Sequence, residues 1–376
     1  MKPNRPESDD DQGLRIVIAG GGTGGHLFPG IAIADAFKDR NFRHDIRFAS
    51  VGKPFEIEAI DRAGYRLDIV PSRGLKGYGL NRQLSSLAKL PGCMVVAVNQ
   101  LTRFKPDLVI GVGGYASGPV CMAAWFLGIP LVLHEQNQKM GISNRILIYL
   151  ARRCYLSFEP DRAALSSRRF RHTGNPIRKV FFQKCDAVHF DRPDRDTPFT
   201  ILVCGGSQGA SAINQAVMDS LFHLPKTFSF LMIHQTGVQD EHWIRNAYQA
   251  KKVQAEVSAF FYDMAVQYGR ADLMICRAGA TTIAEITAIG KAAIFIPFPH
   301  AADNHQFFNA MTLVKHGAAE IIPEAQLNGK CLAERIRFMA EHPNVVRKMA
   351  DQARKLGKPN AAVDIVDDCY RLLKGE

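Results

Sequence analysis

The sequence predicts an α/β protein made of two Rossmann-like domains, each a doubly wound parallel sheet, and three observations carry that expectation. Apolar runs alternate with longer amphipathic stretches along the whole chain, the pattern of strands joined by crossover helices. Glycine-rich turns stand at strand-to-helix junctions in both halves: Gly20 to His26 follows the apolar run from Leu14, and Gly205 to Ala210 follows Thr200 to Cys204. A chain of 376 residues also exceeds one ordinary hydrophobic core. Two such domains are expected to face one ligand across a cleft.

Residues 1–13 are polar and acidic, without periodic apolar positions or a signal-peptide core, and read as a disordered tail. Residues 14–176 form the expected first domain, with strands at 15–19, 46–50, 67–70, 108–111, 131–134 and 153–156. The turn Gly174-Asn175-Pro176 and the Asp-, Arg- and Pro-rich stretch 186–198 mark the boundary, placed near Pro176. The alternation restarts in a second domain, 177–355, with strands at 200–204, 229–234, 257–261, 273–276 and 292–297. Residues 356–376 hold a last helix, expected to pack back on the first domain.

The content is 47% hydrophobic and 22% charged, that of a globular protein. No apolar stretch is long enough to span a bilayer; the best candidate, Val120 to Leu133, is broken by Gly128 and Pro130. Eight cysteines without CxxC spacing point to reduced thiols and a cytoplasmic chain. The net charge of +11 favours anionic partners. Nucleic acid is not expected, because the chain has no aromatic RNA-binding signature, no zinc-ligand pairs and no long Lys/Arg block. Asp194-Arg195-Asp196 resembles the metal-binding triplet of some nucleotide-sugar enzymes, but Pro193 and Pro198 place it in a solvated linker, so no metal and no cofactor are expected.

Four junctions have the form of a phosphate-binding turn: Gly20 to His26, Gly111 to Gly114, Gly205 to Ala210 and Ala278 to Thr281. There, unpaired N–H groups and the helix dipole favour an anion. The first matches GxGxxG, yet the next strand ends Ala49-Ser50-Val51 without the acid that a dinucleotide ribose needs. Ser207 reads either as a helix N-cap or as a diphosphate ligand. Thr282-Ile283-Ala284-Glu285 fits a capping box, while Glu285 could instead take a ribose diol. His26, at a helix amino terminus, is disposed to stay neutral and to accept a proton; the alternative is a histidine packing the turn. Glu135 and Asn137, in His134-Glu135-Gln136-Asn137, could face the same ligand or form a polar loop.

Together, GGGTGGHLFPGIAIA (20–34), GVGGYASGP (111–119), HEQN (134–137), GNPIR (174–178), GGSQGA (205–210) and AGATTIAEI (278–286) resemble the bacterial peptidoglycan N-acetylglucosaminyltransferases, which make lipid II from lipid I. The resemblance runs from about residue 14 to the carboxyl end. It implies the GT-B fold, an inverting reaction, UDP-N-acetylglucosamine as donor and undecaprenyl-diphosphate-linked lipid I as acceptor. It further implies that Thr23, Gly24, Gly25 and Asn137 contact the donor from the first domain. From the second it brings Arg178, Ser207, Ala280, Thr281, Thr282, Ile283, Ala284, Glu285 and Gln306. The Phe260 to Met264 segment resembles the uracil-contacting loop, with Phe261 where an isoleucine is familiar.

Inversion requires a base for the acceptor hydroxyl and stabilisation of the departing diphosphate. His26 is the first candidate base and Glu135 the second. A lipid acceptor implies peripheral docking at the anionic cytoplasmic face of the inner membrane. Leu75, Tyr78, Leu80 and Leu84, interleaved with Arg73, Lys76, Arg82 and Lys89, suit that task, with Trp125 and Phe126 farther on; the alternative is that Leu80, Leu84 and Leu87, at helical spacing, are ordinary core. Two other classes share the donor chemistry: a UDP-sugar epimerase of GT-B-like fold, and a non-enzymatic nucleotide-sugar-binding scaffold.

Overall fold

The structure is a computed structural model that describes residues 13–72, 80–160, 167–186, 198–206, 208–225 and 227–375. The chain divides into two compact units, one comprising Met1–Arg178 with Pro359–Glu376, the other Lys179–Lys358. The expected tail, the linker around Asp194 to Asp196 and Ser207 lie outside the described residues, as do the side chains of the basic-apolar stretch from Arg73 to Lys89.

In the first unit, seven strands form one parallel sheet in the order β3-β2-β1-β4-β5-β6-β7. They are β1 Arg15–Gly20, β2 Asp45–Ser50, β3 Arg66–Ile69, β4 Leu108–Gly113, β5 Leu131–Glu135, β6 Arg153–Leu156 and β7 Phe170–His172. Alternate residues of β1 enter opposite cores: Val17 and Ala19 pack with Val109, Val120 and Leu133, while Ile16 and Ile18 pack with Leu27, Phe37 and Ile110. A strand buried on both faces must be apolar at every position, which is why these strands read as continuous apolar runs. β7 was not among the expected strands. Its three residues, Phe-Arg-His, lie at a sheet edge and carry no apolar run.

The carboxyl-terminal helix, Ala361–Lys374, belongs to this unit. Ile365, Val366, Cys369, Tyr370 and Leu372 join the core of the first helix, Gly24–Arg40. Polar contacts hold its inner edge: Tyr155 donates to Asp368 at 3.0 Å, and Tyr370 lies 2.7 Å from His44 Nε2.

The second unit has a six-stranded parallel sheet in the order β10-β9-β8-β11-β12-β13. Its strands are β8 Phe199–Cys204, β9 Phe230–Gln235, β10 Ala255–Ser258, β11 Leu273–Cys276, β12 Ala292–Phe295 and β13 Glu320–Ile321. β10 ends before the expected 257–261 segment does, because Phe260 and Phe261 belong to the loop that follows. Ile201, Val203, Ile213, Val217, Met232 and Ile275 centre the core. All eight cysteines are free, and no helix among the described residues is long and apolar enough to cross a membrane.

Candidate active site

The carboxyl ends of the parallel strands carry the loops in both units, as the handedness of β-α-β connections requires. In the first unit the turn after β1 is held from an unexpected quarter. Glu56, fully buried on the helix Pro54–Arg62, accepts from the Gly22 amide, from Ser50 Oγ at 3.1 Å and from the Lys53 amide at 2.7 Å. Lys53 Nζ returns a bond to the Gly22 carbonyl at 2.9 Å. A protein carboxylate thus takes the amide that a cofactor phosphate uses in a dinucleotide fold, a second physical reason against that reading.

Thr23 is the N-cap of the first helix, yet its hydroxyl does not cap; it lies 2.9 Å from His26 Nδ1. His26 is half-buried in the first helical turn, beside Gly113 at the end of β4. Gly113 has φ 87°, and a Cβ there would come within 2.6 Å of the imidazole, so only glycine lets the ring sit on that strand end. Gly24 and Gly25 occupy the same helical turn.

Behind it lies His134, completely buried on β5. Gln136 Nε2 donates to its Nδ1 at 3.0 Å, and its Nε2–H faces the Gly174 carbonyl at 3.4 Å, which fixes the neutral Nε2–H tautomer. Burial lowers its pKa to about 4, and the nearby His26 pushes the same way. Glu135 is 3% exposed and spends its carboxylate on three N–H groups: Asn137 at 3.0 Å, Gly141 at 2.9 Å and Asn144 Nδ2 at 2.9 Å. It orders the loop that presents Asn137. Arg178 falls in this unit rather than in the second domain, with its guanidinium 4.9 Å from the Phe28 ring centre. The side chain of Asn175 is buried with neither polar atom partnered.

In the second unit the helix after the Gly205-Gly206 turn is Ser211–Ser220 with Ala210 as N-cap, so the cap position is not residue 207. The helix Ala280–Ile289 begins after Gly279, which has no side chain to cap it. Glu285 therefore stands more than a turn inside, too deep for the capping box. It accepts a bond from the buried Tyr268 hydroxyl at 3.0 Å. Thr281 Oγ1 is buried and unpartnered, while Ile283 is buried with its amide donated to the Gly279 carbonyl at 2.9 Å and its carbonyl accepting from the Thr287 hydroxyl at 2.9 Å. Ala280, Thr282 and Ala284 complete the first turns. Gln306, in the helix His305–Val314, accepts from the Phe298 amide at 2.9 Å, and Phe261 donates its amide to Gln235 at 2.9 Å.

Helix amino termini without side-chain caps follow β1, β8 and β11, and a fourth begins at His305. The helix Gly329–Glu341 is capped by Asn328, which accepts from the Cys331 amide, but Glu241–Ala250, Pro343–Leu356 and Ala361–Lys374 also begin without a side-chain cap, so an uncapped start alone marks no site. At Ala280 the uncapped amides lie beside the orphaned Thr281 hydroxyl, chemistry that suits an anion.

That architecture recurs in known proteins. Residues 16–156 match the glycosyltransferase family 28 N-terminal domain, and residues 200–365 match the family 28 C-terminal domain. The chain belongs to glycosyltransferase family 28. Within that family it is 45% identical to the UDP-N-acetylglucosamine--N-acetylmuramyl-(pentapeptide) pyrophosphoryl-undecaprenol N-acetylglucosamine transferase of Syntrophus aciditrophicus, over 96% of this chain and 99% of the relative. The crystal structure of Acinetobacter baumannii MurG superposes with a TM-score of 0.77 at 28% identity, covering 96% of this chain and all of that one. A UDP-GlcNAc 2-epimerase from Neisseria meningitidis, solved with UDP-GlcNAc, shares the fold at a TM-score of 0.67, 95% coverage of this chain and 100% of its own, and 13% identity. The paired Rossmann-like sheets of this family 28 chain are those of the GT-B class.

Glu56, His134 and Gln235 were not singled out from the sequence. The available signal was position: His134 closes an expected strand and Gln235 directly follows one, where ligand loops begin, and Glu56 sits in the first turn of a helix.

Proposed function

We propose that this chain is an inverting glycosyltransferase that moves N-acetylglucosamine from UDP-N-acetylglucosamine to the 4-hydroxyl of the N-acetylmuramoyl-pentapeptide of undecaprenyl-diphosphate-linked lipid I, giving lipid II. The relatives support the substrate pair. The observation that carries the donor half is the uncapped helix start at Ala280, with the partnerless Thr281 hydroxyl buried at its mouth.

In this reading the second unit holds the donor. Ser207 and the amides around Gly206 take the diphosphate, assisted by the helix dipole from Ser211; Thr281 adds a hydroxyl, Glu285 receives the ribose diol, the Phe261 backbone meets the uracil and Gln306 the sugar. Arg178, Thr23, Gly24, Gly25 and Asn137 contribute from the first unit. His26 removes the acceptor proton. In the tautomer that donates Nδ1–H to Thr23 Oγ1, 2.9 Å away, Nε2 carries the lone pair that a general base needs. Glu135 positions Asn137 rather than acting as the base, because its carboxylate is buried and already bound. As the hydroxyl attacks opposite the leaving UDP, charge develops on the diphosphate where the helix amino termini meet it.

The acceptor's lipid places the enzyme at a membrane surface, and we assign that surface to the cytoplasmic face of the inner membrane. The described support is an exposed apolar set on two neighbouring helices, Ser117–Phe126 and Ile142–Leu147: Met122, Trp125, Phe126 and Ile146, with Tyr149 beside them.

Transfer of labelled N-acetylglucosamine to a soluble lipid I analogue tests the reaction. Product that forms only with acceptor supports it; an epimerised UDP-sugar accumulating without acceptor favours the epimerase. Co-sedimentation with anionic and neutral vesicles tests docking, and equal binding to both at low and high salt would refute its electrostatic part.

A further inference from the structure

Gln235 is the last residue of β9, the strand between β8 and β10. In register it faces Cys204, the last residue of β8, on one side and Ser258, the last residue of β10, on the other. It therefore stands between the two strand ends that launch the Gly205-Gly206 turn and the Phe260 to Met264 loop. Its side chain, on a residue 2% exposed, reaches both: Nε2 donates to the Gly206 carbonyl at 3.0 Å, and Oε1 accepts the Phe261 amide at 2.9 Å. One primary amide, with one donor and one acceptor used in opposite directions, ties the two loops together.

The backbone around it leaves no slack. A Cβ on Gly209 would lie 2.1 Å from the Thr236 carbonyl, and one on Gly237 would lie 2.5 Å from that of Gln208. The Thr236 amide bonds to the Ser258 carbonyl at 3.0 Å, and the Gly237 amide to that of Ala259 at 3.1 Å. The segment 235–237 is a fixed platform with the glycine turn packed on one side and the β10 loop hydrogen-bonded on the other.

We propose that Gln235 is a positioning residue for the donor: its amide sets the spacing between the diphosphate-binding turn and the uracil-contacting loop, so that a ligand carrying both a base and a diphosphate is bound by loops already in register. The inference rests on the donor reading given above. Gln235 touches the two loops and not the reacting atoms, so its effect falls on donor binding and leaves the chemical step nearly intact.

The test uses the full-length protein and UDP itself as probe. In Gln235→Leu, which keeps the volume and removes both bonds, UDP is expected to bind about tenfold more weakly, and the KM for UDP-N-acetylglucosamine to rise by a similar factor, for the two hydrogen bonds lost. The kcat and the KM for the lipid I analogue are expected to stay close to wild type, while the Tm falls by a few degrees for the two bonds lost. Gln235→Glu provides the second arm: it keeps an acceptor for Phe261 but sets a carboxylate against the Gly206 carbonyl, and is expected to weaken UDP at least as much. The advantage of UDP over uridine should shrink in both variants, since the two halves of the ligand no longer meet loops in register. If wild type binds UDP and Gln235→Leu binds it within twofold, the positioning role is overturned. So it is if the KM for the lipid I analogue rises along with that for the donor, which would mark a general structural part. A wild type that does not bind UDP overturns the donor reading and this inference with it.

Discussion

The Glu56 carboxylate accepts the Gly22 amide inside the first glycine turn. A turn that matches the dinucleotide fingerprint is thereby closed from within, its anion supplied by the protein. Glu56→Ala should leave the Gly22 amide, the Ser50 hydroxyl and the Lys53 amide without their acceptor, destabilising the first unit by about 2–4 kcal/mol. Glu56→Gln should do less harm, since one oxygen still serves Gly22 while the NH2 group opposes the Lys53 amide. Urea unfolding of both variants checks the order; equal stability of Glu56→Ala and wild type would show that the turn holds itself.

His26 and Thr23 act as a pair. Removal of a general base costs about 10²–10⁴-fold in rate, so His26→Ala should lower kcat within that range while UDP affinity changes little. Thr23→Val loses the partner of Nδ1 but keeps the ring, and a smaller loss, about tenfold, is expected. Saturating both substrates separates kcat from KM. An unchanged kcat in His26→Ala removes it as the base.

Much of this was legible before folding. Strands buried on both faces cannot hide: β1, β4, β8 and β11 are apolar at nearly every position, and the glycine turns that follow them are local in sequence. β7 and β13 carry too few residues to leave a pattern. The supports of the site were invisible for another reason. Glu56 and Gly22 are 34 residues apart, and Gln235 and Gly206 are 29 apart, so neither pair exists until the sheet has placed its strand ends side by side. Likewise, Thr282 to Glu285 matched a capping box, but the helix starts at Ala280 and carries Glu285 past its first turn.

Acid should weaken both units. Burial lowers the pKa of His134 to about 4 and that of His234 to about 3, against 6.5 for a free imidazole; burial, with Lys38 and Arg40, takes His44 to about 4. The unfolded chain then binds these protons first. The stability is present in full above pH 6.5 and is lost as pH falls toward 4, with His134 accounting for up to about 3 kcal/mol. The urea midpoint should drop between pH 7 and pH 5, and His234→Gln should flatten that slope. A midpoint independent of pH over this interval would contradict the assignment.

Tyr268 holds Glu285 in place. Its phenol is buried, which raises its pKa well above the ordinary value, so it stays a donor at every working pH. Tyr268→Phe removes one hydrogen bond, about 1 kcal/mol, and with it the restraint that the phenol places on the carboxylate. The KM for UDP-N-acetylglucosamine should rise about threefold, against a larger rise in Glu285→Ala, which removes the proposed ribose contact itself. Identical kinetics in Tyr268→Phe and wild type would show that Glu285 needs no such restraint.

Thr281 distinguishes a ligand site from a structural turn more sharply than any other position. A buried hydroxyl without a partner costs free energy in the empty protein, and the cost is recovered only when something accepts or donates to it. Thr281→Val keeps the shape and β-branching and removes that hydroxyl, so the empty protein should be as stable as wild type or more so. Donor binding should instead suffer, with the KM for UDP-N-acetylglucosamine rising about tenfold, the value of one hydrogen bond to a charged group at the lower end of its range. A structural hydroxyl would give the opposite pair of results: a lower Tm and an unchanged KM. Thermal unfolding without ligand, read beside the donor KM, separates the two, because the same substitution must move them in different directions for the anion site at Ala280 to stand.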